Sequence, residues 1–442
     1  MATRKQIVIC GAAGRDFHNF NVVYRDNPAV NVVAFTATQI PGIENRRVPA
    51  VVAGDAYPQG IPIWPESELR ARCERHNVDE VVFAYSDVSR DHVMSVAAQA
   101  FAAGANFSLL GPKQTMLPTS KPAIAVCAVR TGCGKSQVAR FISANLGASG
   151  SRVAVLRHPM PYGDLAAQTV QRFASLEDLD AAACTLEERE EYEPHVRGGG
   201  VVFAGVDYAQ ILAEAEREAD VVLWDGGNND HPFIQPDYDI VVVDALRPTH
   251  LATHFPGDSV LLRADLVIVN KVHAATEQQL ATVNSALDEW VPHVPRILAA
   301  SPVRLEDPQS VVGARVLIIE DGPTITHGGM PHGAGYQAVS SLAVAEIIDP
   351  RGFAAPEIAN VYEKYPHIGP VLPAMGYSDA QRAALAQTVA DADADVVVCG
   401  SPIDIQRALG IVTPVVRVYY DYQDTAQPGL MDYVRERLAE LT

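Results

Sequence analysis

The residues best suited to chemistry stand in one short run, Ala128-Val129-Arg130-Thr131-Gly132-Cys133-Gly134-Lys135-Ser136. An apolar stretch from Ala123 to Ala128 leads into it, and helix-patterned sequence from Lys135 to Leu146 follows. In that setting Gly132 and Gly134 let backbone N–H groups wrap a phosphate without Cβ clashes. Lys135 then reaches the β- and γ-phosphates, and the Ser136 hydroxyl ligates Mg²⁺. One departure from the usual G-x-x-x-x-G-K-[ST] pattern is Val129 at the first glycine. The expected nucleotide contacts are Arg130, Thr131, Gly132, Cys133, Gly134, Lys135, Ser136 and Gln137.

A second run, Val221-Val222-Leu223-Trp224-Asp225, is an apolar strand ending in a carboxylate. Asp225 there pairs with Ser136 as the expected Mg²⁺-holding set. Gly226 and Gly227 let the chain turn close to the phosphates, and Asn228, Asn229 and Asp230 offer short polar side chains beside the γ-phosphate. A third run, Val269-Asn270-Lys271-Val272-His273, resembles the N-K-x-D guanine motif, but His273 replaces the acidic acceptor. That change favours ATP over GTP. Asn270 and Lys271 are still expected to pack the base and support the phosphate loop.

Substrate groups are expected at strand ends. Arg157 and His158 follow the strand Arg152 to Leu156, where ligands of α/β sheets gather. Arg157 suits bidentate anion binding. Lys135, Asp225, Arg157 and His158 make up the expected catalytic group. The segment from Glu320 to Met330 is rich in glycine and contains Thr326, His327 and Gly328. Its backbone N–H groups are expected to be free for an anion, with His327 and His332 able to bind or relay protons. Arg197-Gly198-Gly199-Gly200 is a weaker anion candidate. Arg15, His18 and Asn19 place three anion-compatible groups after the first strand, although the glycines there do not make a dinucleotide fingerprint.

The elements that must position these groups follow an α/β rhythm. Short β-branched runs alternate with Ala-rich helical segments, the signature of parallel sheets with crossover helices. A Rossmann-like domain is expected over residues 1–120, a P-loop domain with a parallel sheet over 121–349, and a small α/β subdomain over 350–442. The P-loop domain is expected to include a strand from Arg315 to Ile319. The acidic run Leu186 to Glu193 reads as a solvated helix or excursion.

Composition excludes other classes. The 442 residues carry 34 Lys and Arg against 53 Asp and Glu, a net charge of −19. So acidic a chain is a poor binder of nucleic acid or anionic membrane. No stretch is long and apolar enough for a transmembrane helix. The start lacks the long apolar region of a signal peptide, and the six cysteines form no C-x-x-C pair. A cytoplasmic location is expected.

The ordered motifs together resemble a known family. They are C-G-A-A-G-R-D-F-H-N-F-N from Cys10, A-V-R-T-G-C-G-K-S from Ala128, R-H-P-M-P-Y-G-D-L from Arg157, W-D-G-G-N-N-D from Trp224, V-N-K-V from Val269 and E-D-G-P-T-I-T-H-G-G-M from Glu320. This set resembles the cyclic 2,3-diphosphoglycerate synthetase family and its bacterial relatives, often labelled GTPases, over essentially the whole chain. The altered phosphate loop is also similar to that of the class containing dethiobiotin synthetase. The resemblance implies ATP- and Mg²⁺-dependent closure of an intramolecular phosphoanhydride in 2,3-diphosphoglycerate or a related phosphorylated acid, with release of ADP and phosphate. Asn228, Asn229, Thr326, His327 and Gly328 join Arg157 and His158 as expected substrate contacts. A homodimer is implied as well. The alternatives are a GTPase switch or metallochaperone-like protein acting with a protein partner, and a small-molecule kinase.

Overall fold

The computed structural model describes residues 4–37, 43, 45–158, 165–326, 328–376 and 378–441, the side chain of Asp379 aside. Three main sheets carry the architecture.

The N-terminal sheet has the order Arg47–Val48, Ile61–Pro65, Val30–Ala37, Lys5–Cys10, Glu80–Phe83, Asn106–Leu109. All its pairings are parallel except that of the two-residue edge strand. Alternate residues of Lys5–Cys10 feed two apolar layers. Ile7 and Ile9 face one, and Val8 and Cys10 the other. Both faces are thus covered, as a parallel sheet requires.

The second sheet is nine-stranded, and Ala123–Ala128 lies near its middle between Val221–Asp225 and Tyr238–Asp244. Every residue of these three strands is buried. Helix Lys135–Ala148 leaves the phosphate loop and packs Val138, Ala139 and Ile142 into this core. Short antiparallel strands close both edges, Gln171–Phe173 at one and Gln423–Asp424 at the other.

The third sheet corrects the expected domain plan. Strand Arg315–Asp321 does not join the P-loop sheet. It pairs in parallel with Val396–Cys399, Glu346–Ile347 and Leu372–Ala374, around a separate apolar core. The expected break at 349 therefore falls inside one sheet. The reason is that a buried parallel strand carries the same apolar pattern whichever sheet receives it. The chain end also departs from the plan. Helix Leu430–Leu441 returns to the P-loop core through Leu430, Met431 and Val434.

The acidic run is the second correction. It forms helix Leu186–Arg197, started by a capping box between Thr185 and Glu188. Leu186, Tyr192 and Val196 are buried along it, and so are Glu187, Glu188, Glu190 and Glu193. Only the local charge density suggested solvent. Glu187, Glu190 and Glu193 meet partners far away in the chain, Gly376, Ser401 and Asp404.

Candidate active site

Five residues converge at the carboxyl end of Val221–Asp225. Asp225 is fully buried. Its Oδ1 accepts from Lys135 Nζ at 2.6 Å. Its Oδ2 takes Arg157 Nη1 at 2.7 Å and His195 Nε2 at 3.0 Å. Arg157, itself 1% exposed, turns its other terminal nitrogen onto Glu191. His158 Nδ1 stands 3.6 Å from the same carboxylate. Burial alone would raise the Asp225 carboxyl, but Arg157, Lys135 and His195 outweigh it and hold the group well below the usual carboxylate range. Burial lowers Lys135, and Asp225 offsets part of that. His158 and His195 are both lowered, chiefly by burial.

The phosphate loop is tied down at several carbonyls. Asn270 Nδ2 donates to Cys133 O at 2.9 Å, and Lys271 Nζ to Gly132 O at 2.7 Å. Arg247 Nη2 donates to Thr131 O at 2.8 Å, and Asn229 Nδ2 to Val129 O at 3.0 Å. Val129 N and Cys133 N donate to Val242 O and Arg130 O, so the anion-facing N–H groups are those of the remaining loop residues at the helix start. Gly134 has φ +102°, and a Cβ there would lie 2.2 Å from Asn270 Nδ2, so only glycine fits. Gly227 plays a similar part, because a Cβ would meet the His158 ring at 2.3 Å.

Most sequence-derived residues thus meet at one place. Lys135, Asp225, Arg157 and His158 form the centre. Asn270 and Lys271 are bonded to carbonyls of the loop. Asn229 holds Val129, and Asn228 accepts from Thr131 Oγ1 at 3.2 Å. Gln137 Oε1 accepts from Ser301 Oγ at 2.8 Å. Arg130 reaches out of the loop to Asp87 of the N-terminal domain at 2.9 Å. For a Mg²⁺ ion the hard donors are the Ser136 hydroxyl and Asp225. Asp225 Oδ1 has one protein donor and keeps a lone pair, so the donor set fits the ion.

Other expectations are redirected. The glycine-rich segment after Arg315–Asp321 does present amides to an anion, but the anion is the chain's own Glu320. It accepts from Gly333, Gly335 and Tyr336 at 3.0, 3.1 and 2.7 Å. Thr326 Oγ1 donates to Gly322 O at 2.7 Å, and Gly328 N to Pro323 O at 2.9 Å, so both close local turns. His327 lies outside the described residues. Arg15 donates to Asp230 at 3.0 Å and rests on the Phe233 ring, while His18 stacks on the same ring. These two join the N-terminal domain to the P-loop domain instead of waiting for an anion. Arg197 is likewise taken, by Glu193 and Asp404.

Sequence reasoning missed Glu191, His195 and Arg247. The first two lie one helical turn apart within the acidic run, a spacing that puts both on one helix face. Arg247 follows the strand Tyr238–Asp244, a position open to the same strand-end argument that found Arg157.

Above the centre stands a wall of carboxyls. Glu187 Oε1 accepts from Gly376 N at 3.0 Å, and Glu190 Oε1 from Ser401 Oγ at 2.6 Å. Burial pushes Glu187 up to about 7, and raises Glu190 strongly, with Asp321 adding to it. Asp321 is raised by burial too, against hydrogen bonds from Thr324 and Glu190. Burial thus raises both carboxyls, and the neighbouring Asp321 adds to the rise at Glu190.

A phosphate loop on a parallel strand, with an aspartate ending the neighbouring strand, defines the chain as an α/β enzyme of the P-loop class. No family model matches it. Over 433 residues it is 53% identical to the arginine synthetase ArcE of Thermococcus kodakarensis, a span of 98% of this chain and 97% of that one. The chain belongs to the family of that synthetase. Among solved structures it is similar to the apo form LpxK from Aquifex aeolicus in complex with ATP. That likeness has 10% identity and a TM-score of 0.44, over 84% of this chain and 99% of the other. Among the described residues no helix is long and apolar enough to cross a membrane.

Proposed function

We propose that the protein is an ATP-dependent ligase that forms the guanidinium group of arginine. The observation that carries this reading is the group of carboxyls Glu187, Glu190, Asp321 and Glu191, the last of which holds Arg157 against Asp225. Such a wall suits a ureido group becoming a guanidinium, and kinship to an arginine synthetase supports the same product. It suits 2,3-diphosphoglycerate poorly, since several negative charges would face buried carboxyls. Closure of a phosphoanhydride is thus the weaker reading of the same site.

The chemistry needs two displacements. In the first, the ureido oxygen attacks the γ-phosphorus of ATP, the bond to the β,γ-bridging oxygen breaks, and ADP leaves. In the second, neutral ammonia attacks the ureido carbon and the C–O bond to phosphate breaks. The released phosphate carries off one proton, and the product is the guanidinium. Lys135 and the loop amides stabilise charge on the transferring phosphoryl group. Ser136 and Asp225 would hold Mg²⁺, which would supply further charge neutralisation when bound. Arg157 is locked between Asp225 and Glu191, which fixes its guanidinium beside the reacting phosphate. Glu191 accepts ureido N–H bonds that strengthen as positive charge develops.

The test is incubation with ATP, Mg²⁺, ammonium and the δ-ureido amino acid citrulline, followed by amino-acid chromatography and ³¹P NMR. Arginine, ADP and phosphate should appear in equal amounts. A parallel sample with 2,3-diphosphoglycerate should show no new phosphoanhydride resonance. Arginine absent, with that resonance present, would reverse the order of the two readings.

A further inference from the structure

Between helix Lys135–Ala148 and strand Val415–Tyr420 lies a cavity of about 410 Å³. It sits apart from the loop amides and is walled by both the P-loop and third-sheet domains. Three arginines line it, Arg140, Arg197 and Arg417, against one carboxylate, Asp421. Two of the three arginines are matched by carboxylates of the surrounding structure. Arg197 and Arg417 are held by Asp404 at 3.4 and 3.1 Å. Arg140 has no ion pair among the described residues. Phe141, Tyr420 and Tyr422 give the cavity an apolar side.

A second polar group faces the same space. His195 lines the cavity, is 3% exposed, and its Nδ1 is buried without a hydrogen-bond partner. Its Nε2 lies on Asp225, which only accepts, so Nε2 carries the proton of the neutral ring. Nδ1 is left as an acceptor. A guanidinium seeking an anion and an acceptor seeking a donor, with Asp421 close by, are the complement of an amino-acid zwitterion.

Helix Leu186–Arg197 links this cavity to the reacting centre. His195 is four residues from Glu191, about 6 Å along a helix rising 1.5 Å per residue. That span is comparable to the three-methylene chain between an α-carbon and a δ-nitrogen. We propose that the cavity holds the α-amino-acid head of the substrate. Arg140 takes the carboxylate, His195 Nδ1 and Asp421 take the ammonium, and the aliphatic chain crosses the aromatic side to bring the ureido end to Glu191 and Arg157. The inference rests on the proposed function, because it names how that same substrate is held.

The test uses the full chain and two readouts. By calorimetry, arginine should bind the wild type at least about tenfold more tightly than argininamide, whose carboxylate is replaced by a neutral amide. Arg140→Gln should weaken arginine to the level of argininamide and leave argininamide unchanged. In turnover, Arg140→Gln should raise the KM for citrulline about tenfold and leave the KM for ATP within about twofold. Equal binding of arginine and argininamide by the wild type would overturn the proposal. So would arginine formation with an unaltered citrulline KM in the variant. Arginine binding that depends on Arg140 in a protein making no arginine would sink the synthetase reading and leave the cavity's role standing.

Discussion

Two groups of buried carboxyls lie side by side in this molecule and behave in opposite ways. Asp225 is surrounded by Lys135, Arg157 and His195, and its carboxyl is held well below the usual range. Glu187 and Glu190 are also buried and Asp321 is half-buried, yet their partners are a backbone amide and hydroxyls, and all three are raised. Burial acts the same way on both groups. What differs is the number of cations within reach. The first group is a charged centre bonded to the lysine of the phosphate loop. The second is a wall of carboxyls that burial holds above the usual carboxylate range.

The largest expected effect comes from emptying the charged centre of its lysine. Lys135→Ala should reduce turnover roughly 10³-fold or more, since charge stabilisation on the phosphoryl group is lost. Asp225 would keep Arg157 and His195, so the fold should persist, checked by an unchanged far-UV spectrum. Turnover within tenfold of wild type would remove the phosphate loop from the mechanism.

Asp225→Asn attacks the same centre from the other side. It leaves Lys135 and Arg157 buried against a neutral amide, and breaking a buried pair in this way costs about 3–5 kcal/mol. The urea midpoint should fall clearly, and Mg²⁺ dependence should weaken. A midpoint like that of wild type would mean that Arg157 is neutralised elsewhere, and the contrast between the two carboxyl groups would lose its basis.

How much of this was legible in the sequence depends on distance along the chain. The phosphate loop, Asp225 and Arg157 were readable because each sits at the end of an apolar strand, with its chemistry in the next few residues. The support from Asn270 and Lys271 was readable for the same reason. The wall was not. Glu187 meets Gly376 and Glu190 meets Ser401, about 190 and 210 residues away. Nothing local separates such glutamates from a solvated face. The glycine-rich segment was half legible. Amides just beyond it, on Gly333, Gly335 and Tyr336, do bind a carboxyl, but it is that of Glu320, 13 to 16 residues upstream. Arg315–Asp321 was recognised as a strand yet assigned to the wrong sheet, because burial pattern carries no address.

Glu320 offers a sharper probe of the raised group. Burial raises it to about 7, against three amide bonds that pull the other way. A carboxyl raised in the folded state stabilises fully below its unfolded value, near 4.5, and that contribution is lost as pH rises through about 7. Glu320→Gln carries no such proton. The stability difference between wild type and variant should therefore move in the variant's favour from pH 4.5 to 7.5, by about 2–3 kcal/mol. Taking the difference removes the opposing contribution of buried histidines such as His18 and His231, both held near 3. A difference independent of pH would place Glu320 among the ionised carboxylates and break the comparison.

The smallest effect is expected at a third buried carboxylate, Asp244, which resembles Asp225 in charge but stands away from the wall. Burial raises it, yet Lys271 and Arg247 outweigh burial and hold it low. Arg247 also donates to Thr131 O, so Arg247→Ala frees one carbonyl of the phosphate loop. Asp244 would still hold Lys271 at 2.8 Å, and the loop would still be tied at Val129, Gly132 and Cys133. One hydrogen bond lost from a loop held at several points is worth about 1 kcal/mol. The KM for ATP should rise about fivefold with kcat nearly unchanged. A fall in kcat as deep as that of Lys135→Ala would mean that the loop depends on Arg247 alone. The charge balance at Asp244 would then belong to the catalytic centre, not to the scaffold that shapes it.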